Sequence, residues 1–246
     1  MTVDKELKVF IAAMMATLAV VTAARGLHHR AATVNATATH KAPFVLIIDA
    51  GHGGEDGGAV TSDGLTESSI NLDIALRLDS LSAFFGVETV LTRDSETLTY
   101  SAESTTTRVR KAEDQKRRIE LVRGTPNAVF LSIHQNTYPT AAPYGSQVLF
   151  AKTAGSEELG IRLQELLKTT LDASNRRAAE RIPESILLMN SIDCPAVLVE
   201  CGFLSNPAEE ALLRTDEHRL KLAVILAAGI LQIRETLATQ IQNEAA

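Results

Sequence analysis

From residue 44 onward the apolar positions of this chain alternate between two periods, and the switches predict its elements. Phe44 to Ile48 is a short continuous apolar run ending in a glycine-rich loop, the pattern of a buried strand. Thr66 stands where a helix cap belongs, with Ile70, Ile74, Leu78, Leu81 and Phe85 on one face of a helix that Gly86 stops. Val87 to Thr92 predicts a second strand, and the charged stretch Arg108 to Arg123, closed by Gly124-Thr125-Pro126, a second helix. Ala128 to Ile133 and Gly145 to Ala151 follow as strands, then Ser156 to Leu171 as a helix. A short strand is expected near Ile186 to Met189, another at Ala196 to Glu200, and a closing helix from about Asp216 to Thr239. Strands alternating with helices predict a single α/β domain, a mostly parallel sheet of about six strands flanked by helices, with room for one antiparallel member.

Ahead of this domain, Val9 to Ala24 is a run of sixteen residues without a charge. As a helix it would span about 24 Å, somewhat short of a ~30 Å hydrocarbon core. It reads as a signal peptide, with Val21-Thr22-Ala23 as a cleavage triplet, or as a retained membrane anchor. Lys5 and Lys8 precede it, offset by Asp4 and Glu6, while Arg25 and Arg30 follow, so the flanking charge gives orientation little help. Export is the expectation under either reading. Residues 28–43 are Ala/Thr-rich without apolar periodicity and read as a flexible linker, with His28, His29 and His40 as spacer residues. The expected organisation is therefore 1–27 signal peptide or anchor, 28–43 linker and 44–246 folded domain.

Composition narrows the partners. A net charge of -6 disfavours a nucleic-acid partner. With no Trp and 3 Tyr, the chain also lacks the aromatics of a sugar-stacking module or a single-strand platform. Its two cysteines, Cys194 and Cys201, flank a predicted strand whose seven extended steps span roughly 23 Å, beyond disulfide reach. Both are read as buried packing residues.

Three predicted strand ends carry the chemistry. Asp49-Ala-Gly-His52 opens the glycine-rich loop, Ser132-Ile-His134-Gln-Asn136 ends a second strand, and Val199-Glu200-Cys-Gly202 ends a third. Open α/β sheets bind ligands at the carboxyl ends of their strands. Glu67, at the start of the first helix, adds a second carboxylate at the edge where helix N-termini also face. Two imidazoles and one carboxylate, leaving a position for water, make a catalytic zinc shell, and the other carboxylate is free to take a proton. Each residue also has a plainer role. A histidine after a strand serves as a hydrogen-bonded structural residue, Glu67 as a helix-dipole partner, and Glu200 as a strand-end carboxylate with a backbone partner. The glycine run lacks the Lys-Ser/Thr of a phosphate loop. Spacing alone gives a metal or polar site.

At these residues the sequence resembles the zinc amidases that cleave N-acetylmuramoyl-L-alanine bonds, the type-3 amidases. The likeness runs from about Val45 to Ile233 through IIDAGHGGEDGGAV, GLTESSINLDIALRL, VLTRD, FLSIHQN, YGSQVLF and PAVLVECGFLSNPAEEALL. It implies a twisted sheet wrapped by helices, Zn2+ held by His52, Glu67 and His134, and Glu200 as the catalytic glutamate. The substrate implied is peptidoglycan, in the extracytoplasmic wall space, reached by a chain secreted or held at the membrane by its N-terminal segment. Residues 44–246 become the amidase catalytic domain. Ala50, Ser68 and Gln135 depart from the family's usual Pro, Lys and small residue, and Gln135 beside His134 is expected to bear on how the peptide stem is seated. A hydrophobic segment ahead of a bare catalytic domain, without wall-binding repeats or a helical plug, is closest to the spore-cortex and germination amidases. An activating protein partner is compatible with this likeness. The rival readings are a non-catalytic wall-binding scaffold and another zinc wall hydrolase, a peptidase or deacetylase.

Overall fold

Three short continuous apolar runs occupy the middle of one six-stranded sheet in the computed structural model, which describes residues 44–237 and residue 241. Strand β1 (Val45–Ala50) lies between β2 (Glu88–Leu91) and β3 (Ala128–Asn136), and both pairs are parallel. On the other side of β3 comes β6 (Ala196–Phe203), again parallel, then β4 (Gln147–Phe150), antiparallel to β6, and β5 (Glu180–Arg181). The spatial order is β2-β1-β3-β6-β4-β5. Strands covered by helices on both faces are apolar on both, which is why β1, β3 and β6 read as continuous rather than alternating runs.

Among the described residues six α-helices cover the sheet: α1 (Glu67–Phe84), α2 (Thr107–Gly124), α3 (Ser156–Leu166), α4 (Leu187–Asn190), α5 (Pro207–Leu213) and α6 (Asp216–Gln232). Residue parity along the strands separates two cores. Leu46, Ile48, Val129, Leu131, Ile133, Val197 and Val199 pack with α1, α3 and α6. Ile47, Phe130, Ala196 and Leu198 pack with Val122 of α2 and with Leu188 and Met189 of α4. The same parity puts Asp49, Ser132, His134 and Glu200 on the face covered by α2 and α4, and Gln135 and Cys201 on the face covered by α1.

The α1 cap is as expected: Thr66 Oγ1 accepts from Ser69 N at 3.3 Å, and Gly86 follows the helix at φ 73°. Other boundaries differ. Ile186–Met189, expected as a strand, instead leads into and forms most of the single helical turn of α4, where Asn190 Nδ2 ties the carbonyls of Pro183 and Ile186 at 2.9 Å each. The sheet-edge strand is instead Glu180–Arg181, both exposed and charged, so no apolar pattern marks it. The α3 pattern continues past Leu166 as a wider π-helical turn through Leu171. Helix α5 was not expected, although Asn206 caps it through bonds from Ala208 N and Glu209 N and Pro207 opens it. Cys201 is buried, while Cys194 is only half-buried. The expected N-terminal segment and linker, and the end of the closing helix apart from residue 241, lie outside the described residues. Among the described residues no helix is long and apolar enough to cross a membrane.

Candidate metal centre

The centre is built where β1 ends. Its last residues lead into a loop whose carbonyls are held from below by two buried arginines. Arg93 donates to Ala50 O (2.9 Å), Gly51 O (3.2 Å) and Ser68 O (2.8 Å), and Arg118 to Ala50 O (2.9 Å) and His52 O (2.6 Å). This scaffold sustains a left-handed conformation at His52, φ 60°, that non-glycine residues seldom adopt. Two glycines are required by close approach. A Cβ on Gly51 would lie 2.3 Å from His134 Nε2, and one on Gly58 would lie 2.5 Å from Glu67 Oε2.

Glu67 is the first residue of α1, so its carboxylate sits at the positive end of the helix dipole. Its Oε2 accepts from Ala59 N at 2.9 Å and its Oε1 from Gln135 N at 3.0 Å. The same Oε1 lies 2.9 Å from His134 Nδ1 and 3.3 Å from His52 Nε2. One donor atom from each of His52, Glu67 and His134 falls within 4.8 Å of the others, and the two imidazole centroids are 4.9 Å apart. His52 Nδ1 faces Asp56 Oδ2 at 2.9 Å, and Lys111 Nζ holds that same oxygen at 2.8 Å.

Charge follows geometry. Burial opposes a proton on His52, but the Asp56 and Glu67 carboxylates outweigh it and raise its pKa to about 9. Burial likewise works against the ionised Glu67, yet His134 and His52 hold its carboxyl far below the usual range. Two imidazoles turned onto one anionic oxygen form a nitrogen–nitrogen–oxygen donor set, and its chemistry fits a zinc ion.

Glu200 stands on β6 directly beside His134 in the β3–β6 ladder. Its Oε2 is buried with no hydrogen-bond partner, and burial outweighs the opposing pull of His134 and pushes its pKa up to about 7, with the Glu67 carboxylate adding to the rise. A carboxylate left unpaired in this way is available to a reacting group. His52, His134 and Glu200 line a cleft of about 270 Å³, walled by Lys111 and Gln115 of α2 and by Ile186, Leu188 and Met189.

All four residues singled out in the sequence are thus brought together. Gln135 is not where it was expected. Strand parity turns it away from the cleft into the face covered by α1, where it is 3% exposed and bonded to Asn71, so it does not line the cleft. The residues the sequence reading passed over are the supporting ones: Asp49, Asp56, Asn71, Arg93 and Arg118. Asp49, Asp56, Asn71 and Arg93 lie inside the quoted motifs. Arg118 is one of several cations on α2 and nothing local distinguishes it.

The family model described as N-acetylmuramoyl-L-alanine amidase matches residues 46–232, most of the chain. The chain belongs to that family. It is 34% identical over 189 residues to the germination-specific N-acetylmuramoyl-L-alanine amidase of Bacillus subtilis, covering 76% of this chain and 78% of that one. The solved CwlD amidase of Clostridioides difficile, in complex with the GerS lipoprotein, superposes with a TM-score of 0.75 at 35% identity, over 78% of this chain and 99% of that one. The amidase AmiC2 of Nostoc punctiforme gives a TM-score of 0.64 at 26% identity, over 78% and 98%. The protein is an N-acetylmuramoyl-L-alanine amidase close to the spore-cortex enzymes, acting on peptidoglycan. That sets aside the scaffold, peptidase and deacetylase readings, and an amidase of the cell wall acts outside the cytoplasm, where its substrate lies.

Proposed function

We propose that this amidase is zinc-dependent, with His52, Glu67 and His134 as the metal ligands and Glu200 as the general base. The observation that carries the reading is the convergence of three donor atoms beside a buried, unpaired carboxylate. His52 would bind through Nε2, since Asp56 engages its Nδ1, and His134 through Nδ1, since its Nε2 packs over Gly51. Zinc, when bound, polarises the scissile carbonyl and lowers the pKa of water. Glu200 accepts a proton from the attacking water as its oxygen bonds the carbonyl carbon. It then returns that proton to the alanine nitrogen as the carbon–nitrogen bond breaks, releasing a lactoyl carboxylate and a free amino terminus. The apolar wall of Ile186, Leu188 and Met189 limits water around the reacting groups.

The cellular role we propose is remodelling of the cell wall or spore cortex, in line with the germination-specific relative. Residues 1–27 would carry the chain across the membrane or anchor it there, 28–43 would act as tether, and 44–246 as the catalytic domain. The C. difficile neighbour was solved with a lipoprotein, and a protein partner is proposed for this chain as well. The test is mass spectrometry of purified peptidoglycan digested by the full chain, with and without exhaustive chelation. New L-alanine amino termini that vanish on chelation and return with zinc are expected. Undiminished hydrolysis after chelation would overturn the zinc reading.

A further inference from the structure

The side chain that touches all three ligand-bearing segments is Asn71. It lies one turn after Glu67 on α1 and is wholly buried among apolar neighbours such as Ile70, Ile74 and Ala75. Its Nδ2 donates to Gly51 O at 3.1 Å, the carbonyl immediately before His52. The same nitrogen lies 3.4 Å from Glu67 Oε1. Its Oδ1 accepts from Gln135 Nε2 at 3.1 Å, the residue immediately after His134. Each contact therefore reaches a candidate ligand or the residue next to one.

The geometry points to Asn71, with Gln135 as its arm to β3, as the positioning residue that fixes the spacing of His52, Glu67 and His134 for the metal. This rests on the ligand reading above. Two amides in an apolar core are costly unless every polar atom is paired, and here Gln135 Oε1 has no partner. Two leucines of similar volume would suit these surroundings at least as well. A network that is incompletely satisfied contributes little to stability, so its purpose lies in what it holds. It holds the loop carbonyl, the ligand carboxylate and the end of β3 in one register. Buried amides that orient first ligands change metal affinity by about 10–100-fold when removed.

The discriminating variant is Asn71→Leu/Gln135→Leu, which replaces both partners together and strands neither amide against the other. Zinc affinity is measured by chelator competition, and thermal unfolding of the metal-free full chain is measured in parallel. The expected result is metal-free stability near that of the wild type with zinc affinity lowered about 10–100-fold. Gln135→Leu alone, which cuts only one arm, should weaken zinc by a smaller factor and serves if the double variant does not fold. A folded double variant that binds zinc as tightly as the wild type would overturn the inference, as would wild-type affinity in Gln135→Leu where only that variant folds. His134→Ala separates the two levels. If it loses zinc while the leucine variants keep it, only the positioning role fails; if it keeps zinc, the ligand reading itself is wrong.

Discussion

Arg118 and Asp49 meet at 2.5 Å across 69 residues of chain, joining α2 to the end of β1 beneath the candidate metal centre. Burial alone would raise the Asp49 pKa, but the Arg118 guanidinium and the Ser132 hydroxyl outweigh it and hold the carboxyl below its ordinary value. Removing the arginine would leave a buried, unpaired anion, and would free the carbonyls of Ala50 and His52. Arg118→Leu is therefore expected to lower stability by about 3–5 kcal/mol, read from urea unfolding.

The same pair sets an acid limit. A carboxyl depressed in the folded state adds stability that is fully present above its unfolded pKa, about 3.9, and is lost as pH falls through the lower folded value. Unfolding free energy should thus fall from about pH 4 downward. In Asp49→Asn that segment of the profile should flatten, and an unchanged slope would remove Asp49 from the account.

Glu200 must be ionised to take a proton, and burial raises its pKa. Activity is therefore expected to fall as pH drops through a limb at or below about 7, since a bound zinc ion would draw the value down. Glu200→Gln should keep zinc while losing roughly 10²–10⁴ in kcat. A variant that loses its zinc along with its rate would make Glu200 a ligand.

Gly51→Ala should expel zinc, because the new methyl would occupy the His134 ring position. Gly124→Ala, where a Cβ meets nothing within 4 Å, is the control and should change stability by less than about 0.5 kcal/mol. Metal content and melting temperature of the two variants decide the matter.

Asp56 fixes the tautomer of His52 from the side away from Glu67, and Lys111 fixes Asp56. Asp56→Ala should weaken zinc about 10–100-fold. Lys111→Met should have a smaller effect in the same direction, because the carboxylate keeps its imidazole partner. Equal losses in the two would mean that Lys111 has a separate role in the cleft.

What the sequence revealed depended on whether a signal was local. β1, β3 and β6 were visible because strands covered on both faces must be apolar throughout, and His52, Glu67, His134 and Glu200 because strand ends and helix starts share one edge. The four apolar residues Ile186–Met189 satisfy a strand and a helical turn equally, and only their packing beside α2 decides. Arg93, Arg118 and Asn71 were invisible for another reason. Their partners are mainly main-chain carbonyls and buried side chains remote in sequence, and no spacing encodes such contacts. Gln135 lies on the face opposite His134, as strand parity requires of its neighbour, so it reaches the site through Asn71 and not through the cleft.

The three candidate ligands come from a loop after β1, the first turn of α1 and the end of β3, and they converge only once β1 and β3 have paired in parallel. His52 and Glu67 meet within one locally bonded loop, whereas His134 joins them only through that pairing. Long-range parallel pairing of that kind is intrinsically slow. The full donor set is therefore a property of the paired sheet, and it is complete only in the folded domain.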